Sequence, residues 1–226
     1  MLKLPQVTLV AMGSTDIDGM AEALKYSSRN MEFGAVTLVT DKWNYFETDY
    51  SLPDYIKTSP CQPMNSIDEW NRAIVFDLGE HIETDYAILI HPDGFVVNPE
   101  AWSDIFLDYD YVGAPWPLPK DDFSYRDKNG VVQRVGNSVS LRSKKLLDLP
   151  KKLNMEWKSY NGYYNEDGYI CVNQRHVFEE NGCTFAPLYV AKYFSREVPL
   201  PENKDLIPFA FHKHEGPNAV YPNFET

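Results

Sequence analysis

Three short apolar runs dominate the first hundred residues, at 7–12, 35–40 and 86–90, and two stretches with helical spacing separate them. The run Val7-Thr8-Leu9-Val10-Ala11-Met12 precedes a segment in which Ile17, Met20, Ala21, Leu24 and Met31 fall on one helical face. Ser14, Thr15 or Asp16 can cap that helix. After the second run, residues 42–65 carry aromatics, prolines and turn formers and read as loop with room for one short strand. Ser66-Ile67-Asp68-Glu69 is a capping box, with Ser66 as cap and Glu69 reaching back. Ile67, Trp70, Ile74 and Leu78 continue the apolar stripe of the helix it opens. The third run, Tyr86-Ala87-Ile88-Leu89-Ile90, shows little alternation, so it is expected buried on both faces among parallel neighbours.

A β-α-β-α-β order of this kind predicts a Rossmann-like unit with a mostly parallel central sheet. Ligands of such sheets bind beyond the carboxyl ends of the strands. There the third run ends in His91-Pro92-Asp93-Gly94, residues that are costly to bury unless something outside the sheet uses them. The remainder is less regular. Asn98 and Pro99 start a short helix, and residues 134–147 read as a strand running into a helix. Residues 164–182 read as one helix with Asn165 as cap and Gly182 as terminator. No repeat or linker interrupts the sequence. The expectation is a single α/β domain, with residues 1–98 as a nucleotide-binding half and 99–226 as an acceptor and donor-sugar half.

Charge narrows the function. With 21 basic and 33 acidic residues in 226, the formal net charge is −12. That disfavours stable nucleic-acid binding, which needs clustered Lys and Arg. An acidic protein still handles an anion through a bound divalent cation. No run approaches the ~18 apolar residues of a membrane span. The first residues read as a strand rather than a signal peptide, so a cytoplasmic location is expected. The three cysteines, Cys61, Cys171 and Cys183, form no CxxC pair and point to neither a disulfide framework nor a zinc knuckle.

Four groups of residues carry possible chemistry. Asp93, at the strand end, can hold Mn²⁺ or Mg²⁺ on a diphosphate, with His91 beside it; a plain turn sequence is the competing explanation. Glu166 and Asp167 open a helix, where acids are favoured by the dipole alone, but one can serve as general base. His212 and His214 alternate after an apolar run and can ligate a metal. Gly136, Asn137 and Ser138 allow close backbone approach and hydrogen bonds to a sugar or phosphate. A metal-dependent hydrolase built from the histidines and Asp93 is a further possibility, although no motif orders those residues.

The ordered series HPDGFVVNPEAW, FLDYDYVGAPWP, VGNSVSLRS, NEDGYIC, GCTFAPLYVAKYFSRE and PFAFH resembles a widespread family of glycosyltransferase-like domains of unknown specificity with a GT-A-type fold. The resemblance runs over nearly the whole sequence. Where the family carries Gln-x-Asp-Gly, this sequence has His91 and keeps Asp93 and Gly94. The family's Asn-Gly-Gly-Phe-Ser-Leu-Arg-Ser becomes Asn137 to Ser143 without its glycines and phenylalanine. The resemblance implies a glycosyltransferase with a nucleotide-sugar donor and a glycan or other hydroxyl-bearing acceptor. It places the metal or ribose-diphosphate at Asp93, a late metal ligand at His212, the base at Glu166 ahead of Asp167, and the nucleoside near Asp41. A catalytically silent nucleotide- or carbohydrate-binding domain is the alternative.

Overall fold

A computed structural model describes residues 1–42, 52–158 and 165–212. Strands β1 (Leu2–Met12), β2 (Met31–Thr40) and β3 (Ile56–Pro60) are followed by β4 (Tyr86–Leu89), β5 (Tyr111–Pro115) and β6 (Val135–Ser143). They form one sheet in the order β3-β2-β1-β4-β6-β5. The first four are mutually parallel, as the β-α-β pattern requires. Val7 to Val10 of β1 face Tyr86 to Leu89 of β4, so the apolar run at 86–90 lies at the centre. Ala87, Ile88, Leu89 and Ile90 are all fully buried. The other neighbour of β4 is β6, and that pairing is antiparallel, so the parallel surroundings expected for β4 hold on one edge only.

Helix α1 (Ile17–Ser27) crosses from β1 to β2, and Asp16 caps it by accepting the Gly19 N–H. Helix α2 (Ile67–Phe76) starts at Ser66, whose hydroxyl accepts the Glu69 N–H. The return bond of the capping box goes one residue further, since Glu69 accepts from Asn65 N–H rather than from Ser66. Ile67 does not join the buried stripe but stands 72% exposed.

The second half departs further from its periodicity. Asn98 makes no capping bond; its carboxamide donates to the Ile207 carbonyl instead, and Pro99–Ala101 is a single 3-10 turn. Helix α3 (Lys144–Lys152) follows β6 and is capped by Ser143, as a strand running into a helix should be. The single helix expected over 164–182 is broken. A short α4 (Glu166–Gly168) gives way to a π turn (Tyr169–Asn173), and α5 (Arg175–Glu180) follows. Asn165 provides no side-chain cap. Tyr169, Ile170, Cys171 and Val172 are all buried, which no one-sided surface helix permits. The widened turn shows in the Gln174 N–H reaching the Tyr169 carbonyl at 2.8 Å. Helix α6 (Leu188–Phe194) leads into the two-residue strand β7 (Ser195–Arg196), which pairs in parallel with β8 (Ala210–Phe211). Among the described residues no helix is long and apolar enough to cross a membrane.

Candidate active site

The turn after β4 is closed on itself: His91 N–H donates to Gly94 O at 2.7 Å, and Gly94 N–H returns the bond to His91 O. Immediately beyond it, Val97 N–H donates to Phe209 O and Phe211 N–H to Phe95 O. These bonds draw the last described strand across the turn. A methyl group on Gly94 would stand 2.8 Å from the His212 ring and 2.6 Å from Val139, so only glycine admits this approach.

His91, Asp93 and His212 converge here from opposite parts of the sequence. His212 Nε2 lies 3.7 Å from Asp93 Oδ1, and the two imidazole rings stand 5.3 Å apart. Asp93 is exposed, whereas His91 is buried between Trp70 and His212. Burial, followed by the neighbouring His212 and Arg142, holds His91 well below the ordinary imidazole pKa, so the ring is neutral. Its Nε2 is buried with no hydrogen-bond partner among the described residues. A neutral ring with an orphaned nitrogen is the form that ligates a metal. Among the described residues no ready-made group of three ligands exists, so a cation would need oxygens from its substrate as well. His214, the fellow ligand considered for His212, lies outside the described residues.

Two adjoining hollows open at this edge of the sheet. The smaller, about 440 Å³, is lined by Ser14, Thr15, His91, Asp93 and His212 among others. The larger, about 790 Å³, contains Asn137, Asp167 and Glu197. Ile67, Trp70, Ser138 and His212 line both. Both volumes fall in the range of small-molecule sites. The loop after β1 is held open to them by side chains. Trp70 Nε1 donates to Met12 O, Lys42 Nζ to Ser14 O, and Ser14 Oγ accepts from Met64 N–H.

Asn137 organises the floor. Its φ of +92° is rarely adopted by a residue with a side chain, yet each of its polar groups is used. Its N–H donates to Asp167 Oδ2 at 3.1 Å and its Nδ2 to Glu197 Oε2 at 2.9 Å. Val139 N–H donates to its Oδ1, and the Tyr111 hydroxyl to its carbonyl. Glu197 also stands beside His212, with Oε1 3.8 Å from His212 Nδ1. Asp167 is partly exposed in the larger hollow, and burial together with the neighbouring Glu166 raises its pKa to about 7.

Glu166, the favoured base from sequence, does not reach the crevice. Its side chain is fully buried, and Oε2 pairs with Arg142 Nη2 at 2.7 Å, itself fully buried. Its backbone N–H donates to Asn71 Oδ1. A carboxylate so enclosed is structural here, and Asp167 is the acid that the site presents. Asp41 directly follows β2 but lines neither hollow; its Oδ1 is buried without a hydrogen-bond partner among the described residues.

Residues 57–212 match the family model described as "Protein of unknown function (DUF5672)". The chain belongs to the DUF5672 family. The matched segment spans every residue from Asp93 to His212 discussed above, whereas Asp41 and the loop after β1 precede it. No curated protein matches the sequence. Among solved structures, the galactosyltransferase LgtC, in complex with donor and acceptor sugar analogs, aligns at TM-score 0.57 and 14% identity over 93% of this chain and 87% of that one. A glycosyltransferase involved in glycosylation of the major capsid of PBCV-1 aligns at TM-score 0.51 and 10% identity, over 91% and 92%. At such identities the likeness establishes the fold, and the fold of this DUF5672 chain is the GT-A glycosyltransferase fold.

Several crevice residues escaped sequence reasoning. Glu197 ends the stretch AKYFSRE, where nothing but the family series marks it. Trp70 reads as core but reaches both hollows, and Ser14 and Thr15 read as caps.

Proposed function

We propose that this protein is a glycosyltransferase that moves a sugar from a nucleotide-sugar donor to an acceptor hydroxyl with the help of a divalent cation. The observation that carries this reading is the convergence of Asp93, His91 and His212 at the mouth of a crevice floored by Asp167 and Asn137. Asp93 Oδ1, the orphaned His91 Nε2 and His212 Nε2 are the atoms that would hold the cation. A set of imidazole and carboxylate suits Mn²⁺ better than Mg²⁺, which takes oxygen ligands. When bound, such a cation supplies positive charge to the leaving diphosphate.

The protein's own groups do the rest. Ser138 lines both hollows, where the transferred sugar would lie, and its hydroxyl offers a hydrogen bond to that sugar, while Asn137 holds the floor beside it. Asp167 accepts the acceptor's proton, and a pKa near 7 matches a base working at neutral pH. A catalytically silent nucleotide- or carbohydrate-binding domain is the second reading, favoured by the lack of a preassembled three-ligand group among the described residues. The cytoplasmic placement is part of the proposal, and three free cysteines are consistent with it.

A thermal-shift screen of nucleotide sugars with and without Mn²⁺ tests binding. A donor at 100 times its dissociation constant adds ~2.7 kcal/mol to the native state. Asp93→Asn should abolish the Mn²⁺-dependent part of that shift and leave the unliganded melting temperature unchanged, since the side chain is 51% exposed. Equal shifts in wild type and variant would return Asp93 to the role of a turn residue. Donor hydrolysis then separates an enzyme from a binder.

A further inference from the structure

The larger hollow has a wall that the donor, the cation and the base leave unused. Residues 117–134 form a hairpin-like excursion between β5 and β6, pinned by a bridge between Arg126 and Val132 and by Gln133 N–H donating to Tyr125 O. The charged side chains that it brings to the hollow, Arg126, Asp127 and Lys128, are each already engaged. Asp121 accepts from Phe123 N–H, Ser124 N–H and the Ser124 hydroxyl. Asp127 accepts from Asn129 and Val131 N–H and from Gln133 Nε2. Arg126 Nη1 donates to Gly130 O, and Lys128 pairs with Glu180.

Beside these engaged groups the excursion presents aromatic surface to the hollow. Phe123 lines it while 55% exposed, an arrangement that contributes nothing to a core. Tyr125 is held at φ +57°, which is strained for a bulky residue, and its ring stacks on Trp116 at 4.8 Å and 19°. Trp116 is fixed in turn against Gly136, where a methyl group would lie 1.8 Å from the indole. The site maintains a strained backbone and a glycine to keep those rings where they are. Asn165 and Asn173 line the same hollow with carboxamides.

Aromatic rings and carboxamides lining one hollow, with the charged groups there already engaged, match one class of molecule. A sugar ring has an apolar C–H face that packs on an aromatic plane and an edge of hydroxyls that both donate and accept. We propose that this wall is the acceptor subsite and that the acceptor is a neutral saccharide, stacked on Phe123 and Tyr125 with its hydroxyl edge toward Asn165 and Asn173. The inference rests on the transferase reading for the word acceptor, but its binding chemistry does not depend on turnover.

The test is binding of wild type, Phe123→Ala and Phe123→Tyr to a panel of immobilised neutral oligosaccharides, with melting temperature recorded for each protein. Wild type should retain a subset of the panel. Phe123→Ala should weaken those contacts about tenfold and Phe123→Tyr should restore them, as loss and return of one stacking face require. All three should melt alike, because the ring is exposed. The proposal is overturned if wild type binds no oligosaccharide at about 10 mM, a concentration that reveals even millimolar affinity. It is equally overturned if Phe123→Ala binds as wild type does. Donor hydrolysis by wild type is read separately: without it the transferase reading falls, while Phe123-dependent binding still identifies a saccharide site.

Discussion

The two halves of the molecule are held together by different means. In the first, β1, β2 and β4 with α1 and α2 bury Leu9, Leu38, Ile88 and their neighbours, and the buried polar groups are neutral side chains such as Thr8, Thr40 and Asn71. In the second, a fully buried ion pair, Arg142 with Glu166, sits beneath the crevice floor. Arg142 Nε also donates to Ser140 Oγ, and Tyr111 reaches the carbonyl of Asn137. Apolar burial is non-directional and tolerates small shifts. A buried pair is directional: it contributes little net stability when complete and costs much when broken. The second half thereby fixes where Asn137 and Asp167 point.

The largest expected effect tests that contrast directly. Glu166→Gln should destabilise the protein by about 3–5 kcal/mol by leaving Arg142 charged and unpaired. A chain of this size loses roughly 2–4 °C of melting temperature per kcal/mol. Replacing both partners, as Arg142→Met with Glu166→Met, should recover most of the loss. In the first half the equivalent damage needs a cavity, and Leu38→Ala should cost about 2–5 kcal/mol. A Glu166→Gln protein that melts with wild type would erase the distinction between the halves.

Next comes Asp167→Asn, which should lower turnover about 100-fold at pH 8 while donor affinity stays near wild type. Wild-type turnover should climb as pH rises through about 7, because only the ionised carboxylate accepts a proton. Stability should run the opposite way. The folded pKa is raised, so the acid's contribution is complete below the unfolded value of 3.8 and is lost as pH rises through about 7. Asp167→Asn should therefore melt higher than wild type at pH 8 and level with it at pH 4; a flat difference between the two would reject the shift.

Glu197→Gln probes the link between floor and metal side. Losing the charge beside His212 Nδ1 should weaken Mn²⁺ binding about tenfold, as expected for a residue that orients a metal-binding imidazole. Titration of Mn²⁺ by its paramagnetic resonance signal measures this without turnover. The smallest effect belongs to His91→Gln, within about threefold in donor affinity, because a carboxamide oxygen also ligates hard cations. A loss as large as that of Asp93→Asn would make His91 an indispensable ligand.

The same contrast explains what could be read in advance. The order β1-α1-β2, the helix opened by Ser66 and the central place of 86–90 were legible because apolar side chains repeat with the period of their element. The antiparallel insertion of β6 beside β4 has no such signature, since a run buried on both faces looks alike in either direction. Glu166 and Asp167 are neighbours with similar chemistry. Which of them faces the crevice was decided by Arg142, a residue 24 positions earlier in sequence. Gly94 was legible as a turn residue but not as the clearance for His212. Glu197 became visible only once β7 lay beside β8.

That clearance at Gly94 has a consequence for how the protein comes to be. The turn after β4 is local, and β1, β2 and β4 can pair as soon as they exist. The crevice is different, for His212 arrives only after the whole intervening chain has been made and folded around β6. A nascent or truncated chain can thus own a sheet and a cored N-terminal half and still lack the cation site proposed above. Mn²⁺ binding in this protein would report completion of the fold rather than its onset, a built-in delay between having a shape and having a chemistry.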